Sequence, residues 1–269
     1  MSEVWATWTL YPLVGALSGL LAGLFGIGGG LVIVPALNLI FVSMVPLIPA
    51  ESRMHFSIGT SLAVIVLTSL SSLWAHHRRG AVKWTAFRRL VPGILVGGLA
   101  GAVIADAISN RVLQSVFGAL LVLIAIYLIL GYRPSASRSL PGIAGSSMAG
   151  SAIGAVSALA GIGGGVMTVP FLVWCATPMR TAVGTAAACT FPVALAGTAG
   201  FMLLGPVSSE VSAASTGYVF WPAVLGISVT SVILAPVGAW LAHSLPVERL
   251  RQGFALLLVF VGLRMLLVG

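Results

Sequence analysis

The sequence predicts an all-α integral membrane protein built as two inverted repeats of about five membrane elements each, with glycine-broken helix hairpins. Three observations carry that reading: a composition that is 59% apolar and 7% charged, a ten-residue glycine motif that occurs twice, and a reversal of basic loop charge between the halves. Soluble domains carry about 25% charged residues, so the expected solvent is the lipid bilayer. At about 20 residues per crossing helix, the chain supplies about eight to ten membrane elements and leaves no room for a separate globular domain.

Apolar runs bounded by charge or by Gly/Pro clusters fall at 8–25, 31–48, 56–75, 90–108 and 112–131, and again at 143–160, 166–176, 182–204, 219–243 and 250–268. The run 166–176 is too short to cross a bilayer. The first Lys or Arg is Arg53, so the amino terminus lacks the basic region of a cleavable signal peptide and is expected to be retained. The net charge of +8 sits between apolar runs and forms no groove-reading motif, which excludes nucleic acid as a partner. Cys175 and Cys189 have no metal-ligand spacing and are expected to pack in apolar surroundings; no metal or cofactor is expected.

The repeat defines the domain organisation. Gly26-Ile27-Gly28-Gly29-Gly30-Leu31-Val32-Ile33-Val34-Pro35 recurs as Gly161-Ile162-Gly163-Gly164-Gly165-Val166-Met167-Thr168-Val169-Pro170. Gly59-Thr60-Ser61 pairs with Gly184-Thr185-Ala186, Gly101-Ala102 with Gly238-Ala239, and Phe117-Gly118-Ala119-Leu120-Leu121 with Phe254-Ala255-Leu256-Leu257-Leu258. The order is the same in both halves. The first repeat is 1–132, the linker 133–141 and the second repeat 142–269.

Basic residues orient the halves, because Lys and Arg in short loops favour the cytoplasmic side. With the 76–89 loop inside, Arg78, Arg79, Lys83, Arg88, Arg89, Arg133, Arg138, Arg180, Arg249 and Arg251 all fall inside, while only Arg53 and Arg111 fall in outer loops. Both termini are then external. Inverted halves of this kind are a recurrent plan for secondary transporters, whose sites lie near the midplane.

Three adjacent glycines are costly inside a continuous helix and suggest a break. Unwound backbone within a bilayer must line a cavity or be buried in protein. The helix restarting at Leu31 or Val166 would turn free N–H groups and a positive dipole end toward an anion. The candidate substrate-binding residues are therefore Gly28, Gly29, Gly30 and Leu31 with Gly163, Gly164, Gly165 and Val166, together with Gly59, Thr60, Ser61, Gly184 and Thr185 from the second motif. No Lys or Arg falls at the middle of a segment. Asp106 and His243, at equivalent ends of the fourth elements, are the candidates for proton coupling. Glu51 and His55 are expected in an outer loop and His76 and His77 in the basic loop, while Trp5, Trp8, Tyr11, Trp74, Trp84 and Trp221 read as interfacial anchors.

On these two motifs and its length the chain resembles the sulfite exporter TauE/SafE family, also called the toluene sulfonate uptake permease family, over nearly all of its residues. The resemblance implies a bacterial inner-membrane permease for sulfite, sulfonates or related small anions. Ala186 in place of Ser61 departs from a symmetric hydroxyl site. A passive anion channel is the alternative from a neighbouring class. A membrane-embedded enzyme would need a carboxylate pair, a Ser/His pair or a metal cluster within the membrane, and no such set is placed there.

Overall fold

A computed structural model describes residues 2–26, 28–45, 48–130, 139–205, 214–244 and 247–267. In the first half the helices are α1 (Ser2–Phe25), α2 (Gly30–Met44), α3 (Arg53–Arg78), α4 (Trp84–Asp106) and α5 (Asn110–Leu130). The second half holds α6 (Ile143–Leu159), α7 (Gly165–Trp174), α8 (Met179–Leu204), α9 (Trp221–Ser244) and α10 (Val247–Leu267). Between α8 and α9 lies a short antiparallel hairpin, β1 (Ser215–Thr216) and β2 (Val219–Phe220), turned at Gly217. The protein is thus an all-α membrane protein. Among the described residues five helices, within α3, α4, α5, α8 and α9, are long and apolar enough to cross a bilayer. With its 10 residues, α7 extends about 15 Å, half of a hydrocarbon core of about 30 Å.

Glycine decides how these helices pack. In lipid no hydrophobic force separates helix from solvent, so association relies on close backbone approach across small residues. Gly15, Gly19 and Gly23 of α1 face the carbonyls of Ile227, Ser231 and Ala235 of α9, and a β-carbon at any of the three would overlap them. Gly93, Gly97 and Gly101 of α4 face Ser147, Ser151 and Ala155 of α6 in the same way. Both seams run parallel, because the partner numbers rise together. The central pair runs antiparallel: Gly59 of α3 lies against Phe201 of α8, and Gly197 of α8 against Leu62 of α3. Helices α5 and α10 are also antiparallel, with Gly118 and Gly262 facing each other's carbonyls.

Exchanging the halves, element for element, returns the most extensively packed pairs. The α1–α9 seam becomes α6–α4, α2–α3 becomes α7–α8, and α3–α9 becomes α8–α4, while α3–α8 and α5–α10 map onto themselves. Large apolar side chains left exposed, among them Leu123, Leu225, Val229, Ile233 and Phe260, lie on α5, α9 and α10 and suit a lipid-facing surface.

Three sequence expectations need adjustment. His55 lies within the first turn of α3 and is buried, and His76 is buried in the last turn of that helix, so neither belongs to a loop. Tyr11 is buried against Gly226 on the α1–α9 seam, whereas Trp74, Trp84 and Trp221 are exposed as anchors should be. The side chains of Trp5 and Trp8 lie outside the described residues.

Candidate functional site

Both glycine motifs break their helices. Helix α1 stops at Phe25 and α2 begins at Gly30; α6 stops at Leu159 and α7 begins at Gly165. Gly26, Gly28, Gly29 and Gly161 have φ of +67°, +78°, +80° and +65°, a left-handed backbone that L side chains resist. The ends are tied locally: Gly26 N–H donates to Ala22 O and Ile162 N–H to Ser157 O, while the new helices open with bonds from Ile33 N–H to Gly29 O and Thr168 N–H to Gly164 O.

The two tips touch. A β-carbon on Gly28 would fall 2.9 Å from Gly163 Cα, 2.9 Å from Thr190 Cγ2 and 3.1 Å from Ile65 Cγ2. One on Gly30 would strike the Gly161 carbonyl. Ile65 and Thr190 lie near the middle of α3 and α8, so the contact sits at mid-bundle. Behind the first tip, Gly29 abuts Ser18; behind the second, Gly164 abuts Val193 and Ile153. Leu31 and Gly165 are buried and Val166 half-buried.

The Gly-Thr motifs flank the tips on opposite sides: Ile58 and Val183, just before Gly59 and Gly184, lie against Gly161 and Gly26. Thr60 Oγ1 accepts Phe220 N–H at 3.0 Å while Gly59 faces Tyr218 O; Thr185 Oγ1 accepts Lys83 N–H at 2.8 Å while Gly184 faces Ala81 O. Each pair clasps the segment leading into the other half's fourth helix. Thr185 also donates to Thr181 O at 2.7 Å. Ser61, the neighbour of Thr60, does reach a tip, donating to Gly161 O at 2.9 Å. Its counterpart is Ala186, and the hydroxyl on that side comes one turn later from Thr190, whose Oγ1 lies 3.0 Å from Ala186 O and 3.5 Å from Gly26 O. Thr190 carries no motif and was not legible as a site residue, although its spacing of four from Ala186 keeps it on the same helix face.

One side of the tips holds a narrow crevice. Ala22, Gly26, Gly28, Ser69, Ser72, Ala187 and Thr190 line a crevice of about 160 Å³, too narrow in this conformation for a water-sized sphere. Ser72 Oγ is buried there without a hydrogen-bond partner. One turn further along α3, toward the basic 76–89 segment, His76 Nε2 lies 3.3 Å from Gly23 O.

The other side is plugged. Met54, Ile58, Leu62, Val34 and Phe201 form a dry cluster, with Tyr218 packed against it. The Tyr218 ring stacks on His55 at 5.1 Å and meets Phe56 and Phe201 edge-on at 5.5 and 6.1 Å. Its hydroxyl donates to Asp106 Oδ1 at 3.0 Å. Burial first, then the Asp106 hydrogen bond and charge, push the Tyr218 phenol up to about 12. His55 Nε2 lies 3.0 Å from Ala105 O and 3.2 Å from Ile108 O. Both partners are carbonyls, so Nε2 carries the proton. Asp106 itself is exposed, at the end of α4. His243 falls in the last turn of α9, and its side chain lies outside the described residues. At the opposite end the position of Tyr218 is taken by Ala81: Tyr218 N–H donates to Phe201 O at 3.0 Å, and Ala81 N–H to His76 O at 3.1 Å.

Comparison with known proteins agrees with this architecture. The family model described as "Sulfite exporter TauE/SafE" matches residues 11–265. A "Probable membrane transporter protein" of Haemophilus influenzae is 37% identical over 257 residues, covering 95% of this chain and 96% of the relative. Another so named in Methanocaldococcus jannaschii is 26% identical, covering 96% and 95%, and the YdhB protein of Bacillus subtilis, with the same description, is 25% identical, covering 96% and 99%. No solved structure is similar enough to count as a match. The family match over residues 11–265 makes this multi-pass membrane protein a member of the sulfite exporter TauE/SafE family.

Proposed function

We propose that this transporter is a secondary permease that moves a small anion of the sulfite or organic sulfonate class across the bacterial inner membrane by alternating access. The basic 76–89 end faces the cytoplasm and both termini face outward. Two features support inverted repeats in the bilayer: the most extensively packed pairs survive exchange of the halves, and the equivalent helices α3 and α8 run antiparallel.

The observation that carries the reading is the contact of Gly28 with Gly163 at mid-bundle, where two helix starts converge without a side chain between them. The first N–H groups of α2 and α7 have no intrahelical partner, and each helix brings a positive dipole end. The site residues are Gly28, Gly29, Gly30 and Leu31 from one tip and Gly163, Gly164, Gly165 and Val166 from the other, with Ser61 fixing the Gly161 carbonyl. Gly59-Thr60 and Gly184-Thr185 act on the substrate path by holding the two end segments. Asp106 and His243 serve proton coupling at the water interface.

Proteoliposomes test this with sulfite, sulfonates, thiosulfate, sulfate and carboxylates, with and without a pH gradient. Saturable uptake with counterflow is expected for one anion class. Gly28→Leu should abolish it while the protein still inserts, because the side chain would occupy the tip contact. Full transport by a well-folded Gly28→Leu protein would refute the site.

A further inference from the structure

The two halves repeat a backbone but fill it differently on the two sides of the tips. Matched contacts fix the register: Gly59 faces Tyr218 O as Gly184 faces Ala81 O, and Tyr218 N–H donates to Phe201 O as Ala81 N–H does to His76 O. In that register Leu62 corresponds to Ala187, Phe201 to His76 and Tyr218 to Ala81. At the Tyr218 end the Leu62 isobutyl group is fully buried and rests on α8 where Gly197 has no side chain; a β-carbon there would lie 2.8 Å from Leu62 Cδ1. On the other side the equivalents of Leu62 and Gly197 are Ala187 and Ser72, and both line the crevice. The helix starts differ likewise. Met54 is fully buried and its N–H donates to Asn110 Oδ1 at 2.7 Å, whereas the equivalent Met179 is 61% exposed. Val247, the counterpart of Asn110 by the match of Phe117 with Phe254, carries no acceptor side chain.

We propose that Leu62 is the gate of the outer half of the path and that its counterpart Ala187 leaves the inner half without one. This conformation is then shut toward the Tyr218 end and admits water from the basic 76–89 end after only a small parting of helices. This rests on the transport reading above and assigns its gate. An apolar constriction bars ions by staying dry, since an ion crossing it must leave its hydration behind. Leu62 joins Met54, Ile58 and Phe201 in such a cluster, with Tyr218 packed on it. On the inner side Ala187 offers a methyl group beside the crevice of about 160 Å³, and His76 and Ala81 stand where the outer side has two aromatic rings. Opening the outer half requires Leu62 to leave Gly197, a side-chain contact that can part without separating interlocked backbones.

The test uses the full-length protein in detergent, where both ends meet the same solution, with Cys175→Ala and Cys189→Ala as background and a small charged methanethiosulfonate as probe. Ser72→Cys reports the inner crevice; Ser157→Cys, buried at the position equivalent to the crevice-lining Ala22, reports the outer side. Ser72→Cys should react at least tenfold faster than Ser157→Cys. Leu62→Ala should speed Ser157→Cys at least fivefold and leave Ser72→Cys within twofold, and Ala187→Leu should slow Ser72→Cys at least fivefold. Equal rates for the two cysteines, or a Ser157→Cys rate unmoved in a folded Leu62→Ala protein, overturn the gate. The comparison of the two cysteines needs no gate substitution, so it decides even where Leu62→Ala does not fold. Anion uptake in proteoliposomes is read separately. Equal rates with uptake overturn the gate alone; unequal rates with no uptake of any anion overturn the transport reading and leave the closure at the Tyr218 end standing.

Discussion

Tyr218 closes one end of the molecule through a ring and a hydroxyl, and the two should be separable. Tyr218→Phe deletes the bond to Asp106, whose exposed carboxylate regains water, so the loss is about 1 kcal/mol. Tyr218→Ala also strips the ring from His55, Phe56 and Phe201 and should cost about 3–5 kcal/mol. The phenol adds a pH signature. Its pKa is raised from 10.0 to about 12, so the fold favours the neutral form; the contribution is complete below about pH 10 and is lost as pH rises toward 12. Partial exposure limits that contribution to about 1 kcal/mol. Thermal unfolding in detergent at pH 9 and pH 11, with the phenolate difference spectrum of wild type against Tyr218→Phe, reads both quantities. Wild type should lose more stability than Tyr218→Phe between the two pH values. A Tyr218 titration near pH 10, or a Tyr218→Ala protein as stable as Tyr218→Phe, would refute the latch.

Gly19→Val and Gly97→Val should each destabilise by about 3 kcal/mol or more, since the added carbons overlap the facing backbone of Ser231 and Ser151; a lipid-facing control, Leu99→Ala, should shift thermal unfolding far less. Thr60→Val and Thr185→Val each strand a backbone N–H, of Phe220 and Lys83, at about 1–3 kcal/mol, and because they sit on opposite sides of the tips the double variant should show the sum in the same assay. A disulfide between cysteines at Pro12 and Thr230, whose hydroxyl lies 2.8 Å from the Pro12 carbonyl, should leave transport unchanged when oxidised; loss that reductant reverses would show that α1 and α9 part during the cycle.

What the sequence reveals here is what backbone economy demands. Three consecutive glycines twice over announce two breaks, and the apolar run 166–176 announces a helix too short to cross, which α7 is. Helix ends are less legible: Arg88 and Arg89 read as loop, yet α4 begins at Trp84 and carries both, because long basic side chains reach the interface from within a helix. Thr190, His55 and Tyr218 escape a linear reading for a common reason. Each acquires its meaning from a partner on another element, at separations such as 164 residues for Thr190 and Gly26 or 112 for Tyr218 and Asp106, and nothing local encodes those meetings.

The glycine seams also constrain what can move. Helix α1 lies in the first half of the chain and α9 in the second, yet their backbones interlock along Gly15, Gly19 and Gly23; α4 of the first half and α6 of the second interlock likewise. Rocking one repeat against the other would open both seams and forfeit the close contacts that hold helices together in lipid. The cheaper motion keeps each seam intact and lets the two pairs shift about the antiparallel α3–α8 core, where the contacts are side chains such as Leu62 and Phe201 rather than locked backbones. Each pair ends at a tip, Gly26 to Gly30 after α1 and Gly161 to Gly165 after α6, so such a shift would slide the tips past each other where they now touch. On the transport reading proposed above, the crevice on one side and the aromatic cluster on the other would be two ends of one path, distinguished by which side chains line them.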